Sequence, residues 1–437
     1  MRRYVFVLLA LLGIGLLSLW QLPTILKAMP SRYVARLPEP LQALGERGSG
    51  VAILPTVAAP ANAENLLQVT NTPTAAAVVP PTLTPQPLAQ ATQTAPAPTA
   101  TATAVPTATA TPIPIPASFR LENVWHQFQT WNNCGPATTA MALSYFGLYL
   151  NQAETAAFLK PDPEDRNVSP YEISRYVNEQ TPYAALDRSN GTLDNVKRLV
   201  ANGFPVMIEL GIEPPGEYRW LGWYGHYLLV VAYDEALGQF WVYDSWFGTS
   251  DVPMENASVN GRILHYEEAD QQWRQFNRNY IVFYEPERAS EAALIIGEDM
   301  DDGIMWQKSL ARTQAELAEA PDDAFLWLNL GTVYNGLGQY EEAATAFDQA
   351  RSLGLPWRLL WYQFDLYEAY YQVGRYEDIV TLATVTLEDR PYFEETFYYR
   401  GLALAALGEA EQARADFQRA VAFNPYFEPA ATALAEK

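Results

Sequence analysis

The chain has 437 residues, with 28 Lys and Arg against 50 Asp and Glu, three His and one Cys. This length predicts two or three domains, and an apolar content of 49% is enough for real hydrophobic cores. A formal charge of −22 argues against nucleic acid as a partner, because phosphate binding needs a basic surface. A single cysteine excludes intrachain disulfides and multi-cysteine zinc sites, and the His residues show no metal-ligand spacing. We therefore expect neither a metal nor another cofactor.

Residues 1–30 are typical of a membrane anchor. Arg2 and Arg3 precede an uncharged run over 4–22, which approaches the length of about 20 residues that spans a bilayer as a helix. No small-residue cleavage site follows the run, which favours an uncleaved anchor over a cleaved signal peptide. The two arginines are expected in the cytoplasm, although three basic residues just beyond the run weaken that orientation. We expect a single-pass protein of the cell membrane with extracytoplasmic domains, or a secreted protein if the segment is cleaved.

A segment rich in Pro, Thr and Ala follows the predicted anchor. The 62 residues of 55–116 include 13 Pro, 14 Thr and one charged residue, Glu64. Such a composition cannot bury enough apolar surface to offset its chain entropy. We expect residues 31–116 to comprise a juxtamembrane segment and this Pro/Thr/Ala-rich linker, which is disordered and extended over 55–116 and holds the later domains away from a membrane.

The only cysteine stands at the predicted start of a helix. Residues 132–144 read NNCGPATTAMALS, where Asn132 and Asn133 can cap a helix and Pro136 suits its first turn. The positive end of the helix dipole at Cys134 favours the thiolate, which is the reactive form of cysteine. A buried structural cysteine is the alternative.

A second segment carries a histidine and an aspartate on neighbouring strands. Residues 223–248 read WYGHYLLVVAYDEALGQFWVYDSWFG, and the pattern predicts an antiparallel hairpin with a turn after Asp234. His226 begins the first strand and Asp244 ends the second, so both lie at one end of the sheet. A one-residue bulge or an adjusted turn would bring them onto one face. An imidazole near a thiol, oriented by a carboxylate, activates a nucleophile. A structural edge histidine and a turn-capping aspartate are the alternatives.

These two segments resemble known cysteine peptidases. The hairpin is similar to the His…Asn-Ser-Trp-Gly hairpin of papain-like cysteine peptidases, with Asp244 at the Asn position. The cysteine helix resembles more closely the family C-39 peptidase-like domains, whose founding members trim double-glycine leaders from bacteriocin precursors. The resemblance implies an α+β papain-like domain over 117–289. It implies Cys134 as the nucleophile, His226 as the general base and Asp244 as the residue that orients the base.

The resemblance also implies a glutamine that helps to bind the oxyanion. Gln129 lies five residues before Cys134 and Gln127 lies seven residues before it, whereas a separation of six is more usual in the family. The choice between the two is open. We favour Gln129 because the residues TWNNC join it directly to the helix start.

From Ala324 the pattern is helical and repetitive. The spacing of Trp327, Gly331 and Tyr334 matches the 34-residue tetratricopeptide consensus, and a Gly at the turn recurs at 338, 374 and 408. The region 290–437 therefore resembles an all-α tetratricopeptide solenoid. Such arrays usually bind peptides or partner proteins, and a stabilising cap for the peptidase domain is the alternative. The middle repeat is rich in aromatic rings, some of which exceed the needs of packing and could face a ligand.

The combined features predict a membrane-anchored, extracytoplasmic cysteine peptidase of a bacterial cell envelope. It would hydrolyse peptide bonds through a Cys-His-Asp triad, and its repeats would dock a peptide or protein substrate or a partner protein. Two alternatives remain open: a non-catalytic surface scaffold that keeps a degenerate peptidase fold, and a related amidase or isopeptidase.

Overall fold

The structure, a computed structural model, describes residues 21–22, 24–26, 41, 53–67, 115–214, 222–248 and 261–435. Most of the predicted membrane anchor and of the Pro/Thr/Ala segment lies outside these residues. Among the helices that are described, none is both long enough and apolar enough to cross a bilayer.

The first domain is a mixed domain built on an antiparallel sheet. Its strands are β1 (Ser118–Arg120), β2 (Ala184–Arg188), β3 (Val206–Ile212), β4 (Tyr224–Asp234), β5 (Gln239–Asp244), β6 (Arg262–His265) and β7 (Tyr280–Tyr284). Its helices are α1 (Cys134–Ser144), α2 (Gln152–Leu159), α3 (Pro170–Gln180), α4 (Leu193–Ala201), α5 (Tyr266–Trp273) and α6 (Ala289–Ile296). The strand order is β2-β7-β3-β4-β5-β6, and the short β1 pairs with the far end of β4. The long β4 is therefore the centre of the domain.

Helices cover both faces of this sheet. Met207, Leu229 and Phe283 point to one face, where they pack with α1 and α3. Their neighbours Ile208 and Leu228 point to the other face and pack with α4, α5 and α6. This alternation follows from the two-residue period of a strand, and burial on both faces explains why β3 and β4 are apolar almost throughout.

The second unit is a helical array. It comprises α7 (Asp302–Glu319), α8 (Ala324–Gly336), α9 (Tyr340–Leu353), α10 (Asp365–Gln372), α11 (Tyr376–Asp389), α12 (Glu394–Ala406), α13 (Ala410–Phe423) and α14 (Glu428–Ala435). A Cβ atom at Gly331 would lie 2.5 Å from the ring of Phe347, and one at Gly401 would lie 2.6 Å from the ring of Phe417. The same small–large contact thus joins the two helices within each of two repeats, which is the physical basis of the predicted spacing.

The rings of the aromatic middle repeat have different surroundings. Trp361, Tyr367 and Tyr370 are almost completely buried, so these three rings pack in the core of the array. Tyr362 turns toward the first domain, where its ring centroid lies 5.7 Å from that of Trp223. The expectation that some rings of this repeat exceed the needs of packing therefore does not hold for these three and stays a prediction for the others.

The array packs against the first domain along much of its length. Near its beginning, the Arg278 guanidinium donates to Glu316 at 2.6 Å. In the middle, Gln363 Nε2 donates to the Gln275 carbonyl at 3.0 Å. Near its end, Arg175 donates to the Tyr426 carbonyl at 2.8 Å. These contacts hold the inner face of the array against the domain.

Part of the predicted linker also packs on the array, which corrects the expected disorder of residues 55–116. The Leu54 N–H donates to the Leu355 carbonyl at 2.8 Å, and the Arg351 guanidinium donates twice to the Pro55 carbonyl at 3.1 and 2.9 Å. Leu54 is only 3% exposed and joins the core of the array. Residues 53–67 are poor in charge but still carry apolar side chains that find a tertiary partner, and composition alone missed this.

The packing of residues 53–67 predicts that a charge introduced at a buried position will release the segment, whereas a charge at an exposed position will not. Leu54→Asp should release the segment, because a buried leucine side chain contributes up to about 2 kcal/mol that a carboxylate would lose. Limited proteolysis should then cut between 53 and 67 much faster than in the wild type. The neighbouring Ile53 is 44% exposed, so Ile53→Asp is a matched control that should change little. Equal cleavage of the two variants would contradict the packing.

Candidate active site

Cys134 is the first residue of α1, as the sequence predicts. Asn133 occupies the N-cap position, but its side chain makes no cap hydrogen bond; its Nδ2 instead donates to Thr130 Oγ1 at 2.9 Å. Asn133 is therefore the N-cap residue by position, but its side chain does not make the cap hydrogen bond. Asn132 adopts a left-handed backbone conformation with φ of 52°, which Asn tolerates better than most residues. This turn presents the sulfur at the helix start.

The hairpin of β4 and β5 brings the predicted histidine and aspartate together. Leu228 lies opposite Asp244, and a register shift between Val230 and Ala232 forms the bulge that the sequence analysis considered. His226 Nε2 and Asp244 Oδ1 lie 2.8 Å apart. The exposed fractions of the two residues are 2% and 3%, so the pair is shielded from water.

The Asp244 carboxylate is held by four donors. Besides the His226 ring it accepts from the backbone N–H groups of Trp246 and Phe247, at 2.8 and 2.9 Å, and from Arg262 Nε at 2.9 Å. Burial by itself raises the pKa of a carboxyl group, but the charges of His226 and Arg262 and the hydrogen bonds hold the pKa of Asp244 well below its usual range. The side chain is therefore ionised.

The thiol of Cys134 interacts with the same imidazole. Because Nε2 faces Asp244, the other ring nitrogen, Nδ1, is left for the sulfur. Burial raises the pKa of Cys134, but the hydrogen bond and the charge of His226 outweigh burial, and the N–H groups of Tyr227 and Gly135 also donate to the sulfur. The net effect lowers the pKa of Cys134. Burial also disfavours charge on His226, yet Asp244 and Cys134 raise the pKa of His226 to about 9. Both shifts favour a thiolate–imidazolium pair.

The two candidate glutamines have different surroundings. Gln127 donates to the Leu150 carbonyl at 2.8 Å and accepts from the Gln152 N–H at 3.2 Å, so both ends of its amide are engaged beside α2. Gln129 lies against the end of β5, where its backbone N–H donates to the Ser245 carbonyl at 2.7 Å and its Oε1 accepts from Ser245 Oγ at 2.8 Å. This contact fixes the Oε1 of Gln129 and leaves Nε2 as the end that can donate elsewhere.

Two residues near the triad were missed by the sequence analysis. Arg262 begins β6, and nothing in the short segment RILH marks it as a partner of Asp244. Glu209 lies opposite Tyr227 in the β3–β4 pair, is 2% exposed and accepts from Asn279 Nδ2 at 2.7 Å. Burial and the charge of Cys134 raise the pKa of Glu209 to about 8. Only the pairing of β3 with β4 could have indicated it.

His126 contacts the residues of the site from the side of β5. Its Nε2 lies 2.8 Å from the Asp244 carbonyl oxygen, and its ring packs edge-on against Tyr243 with centroids 5.2 Å apart. Trp246 packs edge-on against the His226 ring, with centroids 5.8 Å apart. His265 is exposed at the end of β6. The structure thus gathers Cys134, His226 and Asp244 and surrounds them with aromatic rings.

The helical array forms part of the wall of this site. The Arg358 guanidinium lies 4.1 Å from the centroid of the Tyr224 ring, two residues before His226. A Cβ atom at Gly225 would lie 2.9 Å from the rings of Phe276 and Tyr362. A glycine is therefore needed beside the histidine, because a ring of the array approaches the backbone at this point.

Two family models match parts of the chain. Residues 120–281 match the model of the Peptidase_C39 like family, and residues 326–353 match the model of the tetratricopeptide repeat. Both resemblances stated from the sequence are thereby confirmed for these residues. No curated protein matches the chain. Among solved structures, a chain described as a C39-like peptidase from Bacillus anthracis is 16% identical, with a TM-score of 0.30; the match covers 38% of this chain and 96% of that one.

The ion pair between Arg262 and Asp244 predicts how acid affects the stability of the protein. Asp244 has a depressed pKa in the folded protein, so it stabilises the fold above the unfolded pKa of about 3.9, and this stability is lost as the pH falls. Arg262→Gln should raise the pKa of Asp244 and cost about 1–3 kcal/mol at neutral pH. The acid unfolding midpoint should move to higher pH.

Circular dichroism during acid titration measures this shift. Arg288→Gln is the control, because Arg288 pairs with Glu291 at a more exposed position, where ion pairs contribute little. An unchanged midpoint in Arg262→Gln would show that the arginine does not stabilise the buried carboxylate.

Proposed function

We propose that residues 120–281, which match the Peptidase_C39 like family, form a papain-like cysteine peptidase domain. Cys134 is the nucleophile, His226 the general base and Asp244 the residue that orients the base. The observation that carries the proposal is the buried His226–Asp244 hydrogen bond of 2.8 Å, with the Cys134 thiol on the remaining ring nitrogen. Thiol, imidazole and carboxylate in that order are the arrangement that activates a nucleophile.

The mechanism follows from the charges of these groups. In the resting pair the proton resides on His226, so the Cys134 sulfur attacks the scissile carbonyl carbon as a thiolate. His226 then gives its proton to the leaving amine, and a thioester remains on the sulfur. A water molecule, deprotonated by His226, hydrolyses the thioester and restores the thiolate–imidazolium pair. Asp244 stays ionised throughout and stabilises the imidazolium.

The oxyanion of each tetrahedral intermediate needs donors near the sulfur. The backbone N–H of Cys134 at the start of α1 is one donor. We assign the second to Gln129 Nε2, because the Ser245 hydroxyl fixes the opposite oxygen of that amide. Gln127 is engaged with Leu150 and Gln152 and is the weaker candidate.

We also propose the anchoring and docking roles that the sequence suggests. The run over 4–22 would anchor the protein in a cell membrane with the later domains outside the cytoplasm. The tetratricopeptide match at 326–353 suggests protein interaction, and the peptidase match suggests a peptide substrate. Because much of the inner face of the array contacts the first domain, docking would involve a space shared by both units or the outer face of the array.

The first test is the reactivity of the thiol, which needs no known substrate. The full chain contains one cysteine, so alkylation by iodoacetamide has a single source. We expect fast alkylation at pH 6, where an ordinary thiol with a pKa of about 8.5 is almost wholly protonated. His226→Ala should slow the reaction at pH 6 by about a hundredfold and bring its pH profile to that of a free cysteine.

Asp244→Asn tests the orienting role of Asp244 separately from the role of His226 as the general base. Here the rate at pH 6 should fall between those of the wild type and His226→Ala, because the imidazole stays but loses its counter-charge. A wild-type thiol that titrates like free cysteine would overturn the peptidase proposal and leave a non-catalytic scaffold. A reactive thiol without peptide hydrolysis would instead favour the amidase or isopeptidase alternative.

The oxyanion assignment predicts different effects for the two glutamines. Gln129→Ala should lower kcat for peptide hydrolysis by about 100- to 1000-fold and leave KM nearly unchanged, since the donor acts on the transition state. Gln127→Ala should leave kcat within a few-fold, because that amide only joins α2 to the preceding loop. The reverse pattern would transfer the oxyanion role to Gln127. Thermal unfolding of both variants checks that neither effect is a loss of folding.

A further inference from the structure

A chamber of about 670 Å³ lies between the first domain and the inner face of the helical array. Its walls come from β3, the β2 end and the start of α3 on one side, and from the helices α7, α8, α10, α12 and α14 on the other. The volume falls in the range of pockets that hold small ligands or amino-acid side chains. The chamber belongs to neither unit alone.

The lining of this chamber is strongly acidic. The described lining residues include six carboxylates, namely Asp187, Glu209, Asp302, Asp365, Glu368 and Glu395, and one cationic side chain, Arg188. Arg188 is already engaged, because its guanidinium pairs with Asp302 and donates to the Met300 carbonyl at 2.7 Å. The remaining carboxylates therefore face the chamber without a lining cation of their own.

Among the described residues, no donor reaches one of the two carboxylate oxygens of Glu395. It is only 4% exposed, and its Oε1 has two long contacts, to Asn167 Nδ2 at 3.3 Å and to Ser169 Oγ at 3.4 Å. Within the described residues its Oε2 has no hydrogen-bond partner. A buried carboxylate oxygen without a donor is costly, and a donor brought by a ligand would remove that cost. Burial and the neighbouring Glu172 and Asp165 also raise the pKa of Glu395, whereas a bound cation would favour its ionised form.

Aromatic rings complete the lining. Trp306, Tyr362, Phe364 and Tyr399 are among the rings that border the chamber. Rings beside carboxylates suit a guanidinium or ammonium group, because the ring faces attract the cation and the carboxylates accept its hydrogen bonds. An anionic ligand would find no unengaged cationic side chain among the described lining residues.

The chamber borders the proposed catalytic residues. Glu209 lines it and is close enough to Cys134 for the thiolate to raise the pKa of the Glu209 carboxyl. Tyr362 also lines it and lies against the backbone at Gly225, one residue before His226. A peptide whose scissile bond lies at Cys134 could therefore place a nearby side chain in this space.

We propose that the chamber binds the side chain of a Lys or Arg residue of a peptide, next to the bond presented to Cys134. The site would select cationic peptides as the substrate class of the proposed peptidase, on whose activity this role rests. The lysine or arginine would pair with Glu395 and Glu368 and lie against Tyr362.

Binding can be measured without turnover. The probe is the acetylated, amidated peptide Ala-Ala-Arg-Ala-Ala, titrated calorimetrically into the full chain carrying Cys134→Ala. The matched probe replaces Arg by citrulline, which has nearly the same shape but no charge. We expect the Arg peptide to bind at least about tenfold more tightly, as one lost charge-assisted hydrogen bond would imply.

Variants then place the binding in the chamber. Glu395→Gln and Glu368→Gln should each remove about tenfold of the affinity for the Arg peptide and leave the citrulline peptide unaffected. Glu368 is only half-buried, so Glu368→Gln should disturb folding less than Glu395→Gln. Glu411→Gln, at an exposed position of α13, is the control and should bind like the parent.

Three results of the titration would overturn the proposal: equal affinity for both peptides, no binding of either, or insensitivity to both chamber variants. The outcome is separable from the proposed function, because the titration does not use the thiol. An inert Cys134 with intact Arg selectivity would remove the peptidase and keep the chamber. Hydrolysis of peptides without preference for a basic residue would keep the peptidase and remove the chamber role.

Discussion

The arrangement of the candidate site depends on the buried carboxylate of Asp244. A charge so far from water is stable only when donors surround it, and here the His226 ring, two backbone N–H groups and Arg262 converge on it from β4, the end of β5 and β6. The same ionised carboxylate keeps the proton on His226, which in turn lowers the pKa of Cys134. The thiol and the imidazole are therefore coupled, and their pKa values belong to the pair rather than to either group alone.

The contact between the two units is as polar as the site itself. Asp165, Glu172, Glu394 and Glu395 are buried where α3 and its preceding loop meet the third repeat, and burial raises the pKa of each of them. Asn424 Nδ2 donates to Glu394 at 2.7 Å and approaches Glu172, so one amide links both units. Such an interface favours one arrangement of the two units. Each buried polar group that lost its hydrogen-bond partner, on separation or in another arrangement, would raise the free energy of the protein. The helical array is therefore a fixed part of the site and not a free appendage.

Local patterns were sufficient where a feature depends on neighbours in sequence. The helix start at Cys134, the hairpin that joins His226 to Asp244, and the spacing of Gly331 and Phe347 follow from capping residues, strand alternation and helical periodicity. Arg262 and Glu209 could not be found in this way, because their partners lie on other strands and no spacing rule joins them. Composition also misled for 53–67, where a few apolar side chains among prolines were enough to pack once the array offered a surface.

The packing of residues 53–67 on the helical array also shortens the connection between the proposed anchor and the folded domains. Residues 68–114 connect Leu67 to Ile115, and both of these residues belong to the same folded body. The length of this stretch therefore adds nothing to the distance between a membrane and the folded body. If the first thirty residues sit in a bilayer as proposed, only the 22 residues from 31 to 52 separate the membrane from the body. At full extension these span about 80 Å, compared with about 290 Å for the whole of 31–114. The volume of envelope that the candidate site can explore is thereby reduced about fiftyfold, since it scales with the cube of that radius.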